Sequence, residues 1–201
     1  MYRGYNFRNG RLKTDASGFD VDLAFMAHMQ ISATDAVIAN NTAVHAALAT
    51  SLTLQTVNTA ITSPTYPKNI TATAGGVATD IKAVQVVVTG TNSNNEVITE
   101  TLPLFTVDTA GTVVGNKAFK TVTSYVVPAM DGVTATVSIG FGTKLGIPYK
   151  LPHNTVDSAF LATVKESTSP TVTTSSTAID GNTIALASAL NGTAVDIYLK
   201  V

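Results

Sequence analysis

Two segments of the chain alternate strictly between apolar and polar residues. From Val133 to Phe141 every second residue is apolar, with Thr, Ser or Gly at the positions between them. From Val195 to Val201 apolar residues alternate with Asp, Tyr and Lys. Because neighbouring side chains of a strand point to opposite faces of its sheet, both segments predict half-buried strands of an antiparallel sheet.

Further segments have the composition of strands, and pairs of turn-forming residues separate them. The expected strands cover residues 81–89, 97–104, 118–127 and 183–187. The turn signals lie at 75–76, 108–111, 131–132, 180–181 and 191–192. This spacing predicts a mainly β fold, an antiparallel β-sandwich or barrel-like domain over residues 53–201. Pro148 and Pro152 mark a possible sub-boundary near residues 148–153.

The stretch QVVVTGTNSNNEVITETL at residues 85–102 raises the question of a binding loop. Residues 84–89 are apolar on both faces and predict a central strand, with residues 97–102 as its partner. Between them, turn chemistry favours a solvated hairpin tip. A binding loop is the alternative. The residues concerned are Asn92, Ser93, Asn94 and Asn95.

Residues 20–52 are Ala-rich, and the spacing of their apolar residues differs from that of the expected strands. Ser32 followed by Asp35 is a helix-capping pattern. Val37, Val44 and Leu48 then fall on one stripe of a helix. A short helix is therefore expected, with an irregular or partly extended passage as the alternative, because the Asn-Asn-Thr at 40–42 competes for backbone hydrogen bonds.

Residues 1–19 show neither a helical nor a strand period, which favours an extended N-terminal arm. The arm is rich in aromatic and basic residues, the types that are enriched at protein interfaces. We expect it to contact a partner protein, with packing on its own domain and contact with nucleic acid as alternatives. The candidate interface residues are Tyr2, Arg3, Tyr5, Phe7, Arg8 and Arg11.

The composition argues against several classes of function, among them nucleic-acid binding and thiol chemistry. Charged residues make up 12% of the 201 residues, about half the usual share of roughly 25%. The net charge of −1 gives no general attraction for phosphate backbones, so nucleic acid is not an expected partner. The absence of cysteine excludes disulfides and thiolate chemistry. Neither a signal peptide nor an apolar stretch long enough to span a membrane is visible.

No catalytic or cofactor motif is convincing. His28, His45 and His153 lack partners at metal-ligand spacing. The GFGTKLG stretch at 140–146 departs from both the dinucleotide-binding and the Walker pattern, so a strand with a glycine-relaxed bend is the better interpretation. We expect no cofactor, no metal and no enzymatic activity.

Four phrases of the chain are similar to virion structural proteins of tailed bacteriophages, and the C-terminal stretch fits the same pattern. The resemblance covers roughly residues 55–201 and points to capsid decoration, head-fibre-like or auxiliary capsid proteins. The four phrases are TSPTYPKNIT (62–71), VVVTGTNSNNEVITETL (86–102), GNKAFKTVTS (115–124) and GTKLGIPYKLP (142–152).

The resemblance implies a non-enzymatic protein, made in the host cytoplasm, that resides in the virion and stabilises the capsid. Its partner would be the major capsid protein or another virion protein. A homo-oligomer is expected, since closed symmetric assemblies are the commonest solution, and a trimer would suit the three-fold points of a capsid. The alternative is a tail or fibre component whose β domain binds carbohydrate or a receptor.

Overall fold

The computed structural model describes residues 24–201, together with the backbone of residues 11–13 and 20–22. Within this part the helical elements are two single-turn 3-10 helices, Ala78–Asp80 and Ile179–Gly181, and strands make up the framework. The predicted mainly β fold class is confirmed. The strands are β1 (Arg11–Lys13), β2 (Asp20–Asp22), β3 (Met26–Ile31), β4 (Asn40–Ala49), β5 (Gln55–Val57), β6 (Lys68–Gly76), β7 (Val87–Thr91), β8 (Val97–Thr101), β9 (Gly111–Phe119), β10 (Thr121–Val127), β11 (Ala135–Gly146), β12 (Val156–Leu161), β13 (Val164–Lys165), β14 (Thr171–Thr173), β15 (Thr183–Ala185) and β16 (Val195–Lys200).

Two antiparallel sheets enclose the larger hydrophobic core. In the first sheet β6 lies between β9 and β11, and β4 pairs with the other side of β11. The second sheet has the order β5-β10-β7-β8. Side chains from both sheets, among them Ile70, Val88, Phe119 and Val137, are fully buried against one another. The two sheets therefore form the predicted sandwich.

Strand β11 contributes to both hydrophobic cores of the described chain. Ala135, Val137 and Ile139 point into the larger core, which confirms the predicted alternation, whereas Leu145 belongs to the second core. The register with β6 shifts between Phe141 and Leu145. Beyond this bulge β15 replaces β4 as the neighbour of β11, and β14 pairs with β15.

A third sheet with the order β13-β12-β16-β3 covers the second core. Val195, Ile197 and Leu199 of β16 are fully buried, so the alternation predicted at the C-terminal end is also confirmed. The hydroxyl of Tyr66 donates a hydrogen bond to the carbonyl of Gly146 at 2.9 Å. This bond ties the segment that enters β6 to the far end of β11.

The prediction of a helix in the Ala-rich segment is wrong. The backbone amide of Ala36 bonds to the carbonyl of Ser32, and the Ser32 hydroxyl donates to Asp35, but the chain then leaves this single turn and forms β4. Residues spaced by four share a face in a strand as well as in a helix, so the stripe containing Val44 and Leu48 fits both structures. Pairing with β11 decides between them.

The four expected strands have different boundaries in the structure. Those at 97–104 and 183–187 end earlier than expected, and the other two differ more. Regular pairing within 81–89 begins only at Val87, after the 3-10 turn and an irregular passage. The segment 118–127 is divided, because its first residues end β9 in one sheet and the rest form β10 in the other. The chain crosses between the sheets at Lys120, a corner that composition alone does not mark.

Candidate functional site

Most residues of the expected arm interface lie outside the described residues. They are Tyr2, Arg3, Tyr5, Phe7 and Arg8. Arg11 lies in β1, and its backbone is aligned with that of Asp22 in β2. Residues 11–13 of the expected extended arm are thus a strand paired with Asp20–Asp22, and the interface itself stays a prediction.

The polar stretch Asn92–Asn95 connects β7 to β8 and is a hairpin turn, as its turn chemistry predicts. Asn92 is buried, with 1% of its surface exposed. Its side-chain oxygen accepts hydrogen bonds from the backbone amides of Asn94 and Glu96, and its amide donates to the Glu96 carboxylate at 2.7 Å. The Asn92 side chain therefore serves the turn itself and is not available to a ligand.

The outer faces of the two sandwich sheets carry mainly hydroxyl side chains. Thr73 and Thr112 are 2.8 Å apart, oxygen to oxygen, on neighbouring strands of the first sheet. Thr91 and Thr121 are 2.7 Å apart on the second. Such cross-strand hydroxyl pairs stabilise the sheets on which they lie.

The outer face of the third sheet has a different chemistry. Phe160 of β12, Tyr198 of β16 and His28 of β3 form a row across three neighbouring strands, which we call the aromatic row. The rings of Tyr198 and His28 are stacked, with centroids 4.5 Å apart and planes at 4°. The rings of Phe160 and Tyr198 meet at 81°, with centroids 5.9 Å apart. The nearly perpendicular rings of Phe160 and Tyr198 therefore form a corner at one end of the aromatic row.

A carboxylate lies beside this corner. Asp196 faces outward from β16, and its Oδ1 is 2.8 Å from Nε2 of His28. The side chains of His28 and Asp196 are 43% and 18% exposed, respectively. Phe160, Thr163, Asp196 and Tyr198 together line a surface cavity of about 210 Å³. We call this cavity the aromatic corner.

The turn that supplies Thr163 is conformationally strained. Ala162 and Thr163 connect β12 to β13 with φ angles of 51° and 69°. A two-residue hairpin turn with both φ angles positive is normally formed by Asn and Gly. A β-branched residue in this region is an outlier, and such residues concentrate at functional sites.

A second cavity, of about 230 Å³, lies at the other end of the same strands. Its lining includes His153, Asp157 and Lys200. His45 lies elsewhere, with its ring against that of Tyr125 at 5.3 Å. The three histidines are therefore not assembled into one site, and the described part of the chain contains no group of three acidic or histidine residues that could hold a metal ion.

Lys68 is a buried and Glu100 a half-buried charged group, and both have structural partners. The Glu100 carboxylate accepts the backbone amides of Asn116 and Lys117 where β9 bulges, and burial raises the pKa of this carboxyl. The Lys68 ammonium donates to the carbonyl of Val37 at 2.5 Å. Both groups hold backbone in place.

Sequence reasoning missed Phe160 and Thr163 as site residues. The alternation of β16 does place Asp196, Tyr198 and Lys200 on the polar face of that strand, and this was an available signal. The neighbours of these residues come from β12 and β3, whose pairing the pattern does not reveal.

Comparison of the chain with protein-family models, with curated proteins and with solved structures finds no match. No helix among the described residues is long and apolar enough to cross a membrane.

Proposed function

We propose that the chain is a non-enzymatic structural protein of tailed-phage virions that decorates and stabilises the capsid by binding the major capsid protein. One observation carries the proposal: the phage-like phrases fall on the framework of the sandwich. Residues 62–71 lead into β6, 86–102 contain the β7–β8 hairpin, 115–124 join β9 to β10, and 142–152 include the second half of β11. The resemblance thus lies in core-building segments.

The charged groups support a structural role. A catalytic acid or base needs access to a substrate. Glu100 instead holds the bulge of β9, and Lys68 closes a contact inside the protein. Asp80 accepts hydrogen bonds from the backbone amide and the hydroxyl of Thr134, which hold the pKa of its carboxyl below the usual value. These groups stabilise loops and sheet ends, as a protein that must resist mechanical load requires.

The proposed partner contact is the arm, because its aromatic and guanidinium side chains supply large contact areas. The sandwich then stands on the shell as a folded unit. A homo-oligomer, in the form of a trimer at local three-fold positions, would let neighbouring copies hold adjacent capsomers together. The virion is the proposed location.

Co-sedimentation of the full chain with shells of the phage's major capsid protein tests this proposal. A variant with Tyr2, Tyr5 and Phe7 changed to Ala removes the aromatic groups of the arm, and Asn94→Ala on the β7–β8 hairpin is the matched control. We expect saturable binding by the parent and the control, and loss of binding by the arm variant. Failure of the parent protein to bind shells would refute the proposed attachment. Sedimentation equilibrium of the free protein tests the trimer.

A further inference from the structure

We infer that the aromatic corner, formed by Phe160, Thr163, Asp196 and Tyr198, binds a carbohydrate. This inference does not rest on capsid attachment, because the corner lies on the third sheet and not on the arm. It also differs from a sugar site at the Asn92–Asn95 loop, where the Asn92 side chain serves the turn.

The rings provide an apolar surface shaped for a sugar ring. His28 stacks on one face of Tyr198, and Phe160 meets the Tyr198 ring in an edge-to-face contact. The angle of 81° between the two rings gives a floor and a wall instead of a flat stack. A sugar ring presents C–H groups on one face and hydroxyls at its rim, so it can contact an aromatic surface and hydrogen-bonding groups at once.

The polar groups stand where the rim of a sugar would lie. A carboxylate has about four lone-pair positions. His28 engages one oxygen of Asp196, so the second oxygen can accept bonds from sugar hydroxyls. The hydroxyls of Thr163 and Tyr198 belong to residues that line the same cavity. A few convergent polar groups on an apolar lining are the usual form of a small-molecule site.

The surrounding charges favour a neutral or acidic sugar over an organic cation. An aromatic pair beside a carboxylate can also hold an alkylammonium group. However, Lys165 is paired directly opposite Phe160. This cation, together with the contact that Asp196 already makes with His28, opposes the binding of another cation.

The strained β12–β13 turn lies at the same cavity. Thr163 is held at a φ of 69° at the wall of the cavity. Gly at this position would relieve the strain but would remove the hydroxyl and the methyl group from the cavity wall. The chain thus retains an unfavourable conformation at a residue that lines the aromatic corner.

Saturation-transfer NMR with triacetylchitotriose and with lactose tests the inference on the full-length protein. Phe160→Leu keeps an apolar side chain but removes the ring, and Asp196→Asn keeps the shape but removes the charge. Tyr149→Ala, at an exposed tyrosine outside the corner, is the matched control. Thermal unfolding of each variant verifies that it is folded.

We expect at least one of the two sugars to bind the parent with Kd on the order of 1 mM or tighter. Phe160→Leu and Asp196→Asn should each weaken binding by about tenfold or more, while Tyr149→Ala should leave it unchanged. Absence of binding by the parent would overturn the inference, and so would equal binding by the parent and the folded Phe160→Leu variant. Because capsid co-sedimentation depends on the arm, either proposal can fail while the other stands.

Discussion

Lys68 is a buried lysine whose charge opposes folding near neutral pH. Its ammonium bonds to the carbonyl of Val37 and lies 4.8 Å from the centre of the Phe141 ring. Burial lowers its pKa from 10.5 to about 8, with a smaller opposing effect of Asp35. Between these two pKa values the unfolded chain binds more protons than the folded chain. The free energy of unfolding therefore rises with pH in this window.

The expected size follows from proton linkage. A lysine with pKa about 8 when folded and 10.5 when unfolded raises the free energy of unfolding by about 2 kcal/mol between about pH 7.5 and 9.5. Lys68→Met removes this group but keeps an apolar chain of similar length, so this part of the pH dependence should vanish. Lys150→Met, at an exposed lysine, should retain it.

Urea unfolding of the parent and both variants at these two pH values measures the effect. The window ends below pH 10 because burial raises the pKa of Tyr66, and that of Tyr125 to about 12. Tyrosines with raised pKa values make stability fall at higher pH, which would mask the lysine. An equal rise in the Lys68→Met variant and in the parent would refute the assignment of this pH dependence to Lys68.

Three further substitutions test other features by urea unfolding, and two of them have a matched control variant. Asn92→Ala should lower the free energy of unfolding by about 1–3 kcal/mol, because it removes a buried side chain and leaves two part-buried amides of the hairpin without their acceptor. The exposed Asn94→Ala should cost less than about 0.5 kcal/mol, and equal costs would contradict the buried role. Gly140→Ala should cost about 2–3 kcal/mol, because its methyl group would lie 2.0 Å from a carbonyl oxygen of β4. Gly111→Ala meets nothing within 4 Å and should be neutral; the same outcome at both glycines would argue against the close approach. Thr163→Gly should stabilise the protein by about 1 kcal/mol and weaken sugar binding, and a loss of stability would contradict the strain.

Local signals were sufficient for part of the fold. The alternation in β11 and β16 identifies strands and their buried faces, because a period of two has a single structural meaning. The hairpin at Asn92–Asn95 follows equally from turn chemistry. Both features depend on residues close together in the chain.

Features that depend on distant pairing could not be predicted. The spacing of Val44 and Leu48 suits a helix and a strand equally, and only β11 selects the strand. Likewise, Phe160 and His28 lie beside β16 because β12 and β3 pair with its two edges. The aromatic corner is therefore a product of strand order, which the chain's local patterns do not encode.

The pairing of β3 with β16 has a consequence for synthesis of the chain. A ribosome releases Met26–Ile31 long before their partner Val195–Lys200, which lies far later in the chain. Contacts between such distant segments form slowly, because a long loop must close first. During that interval the apolar face of β3 has no sheet to join. The third sheet, and the aromatic row with it, is completed only after β16 has left the ribosome.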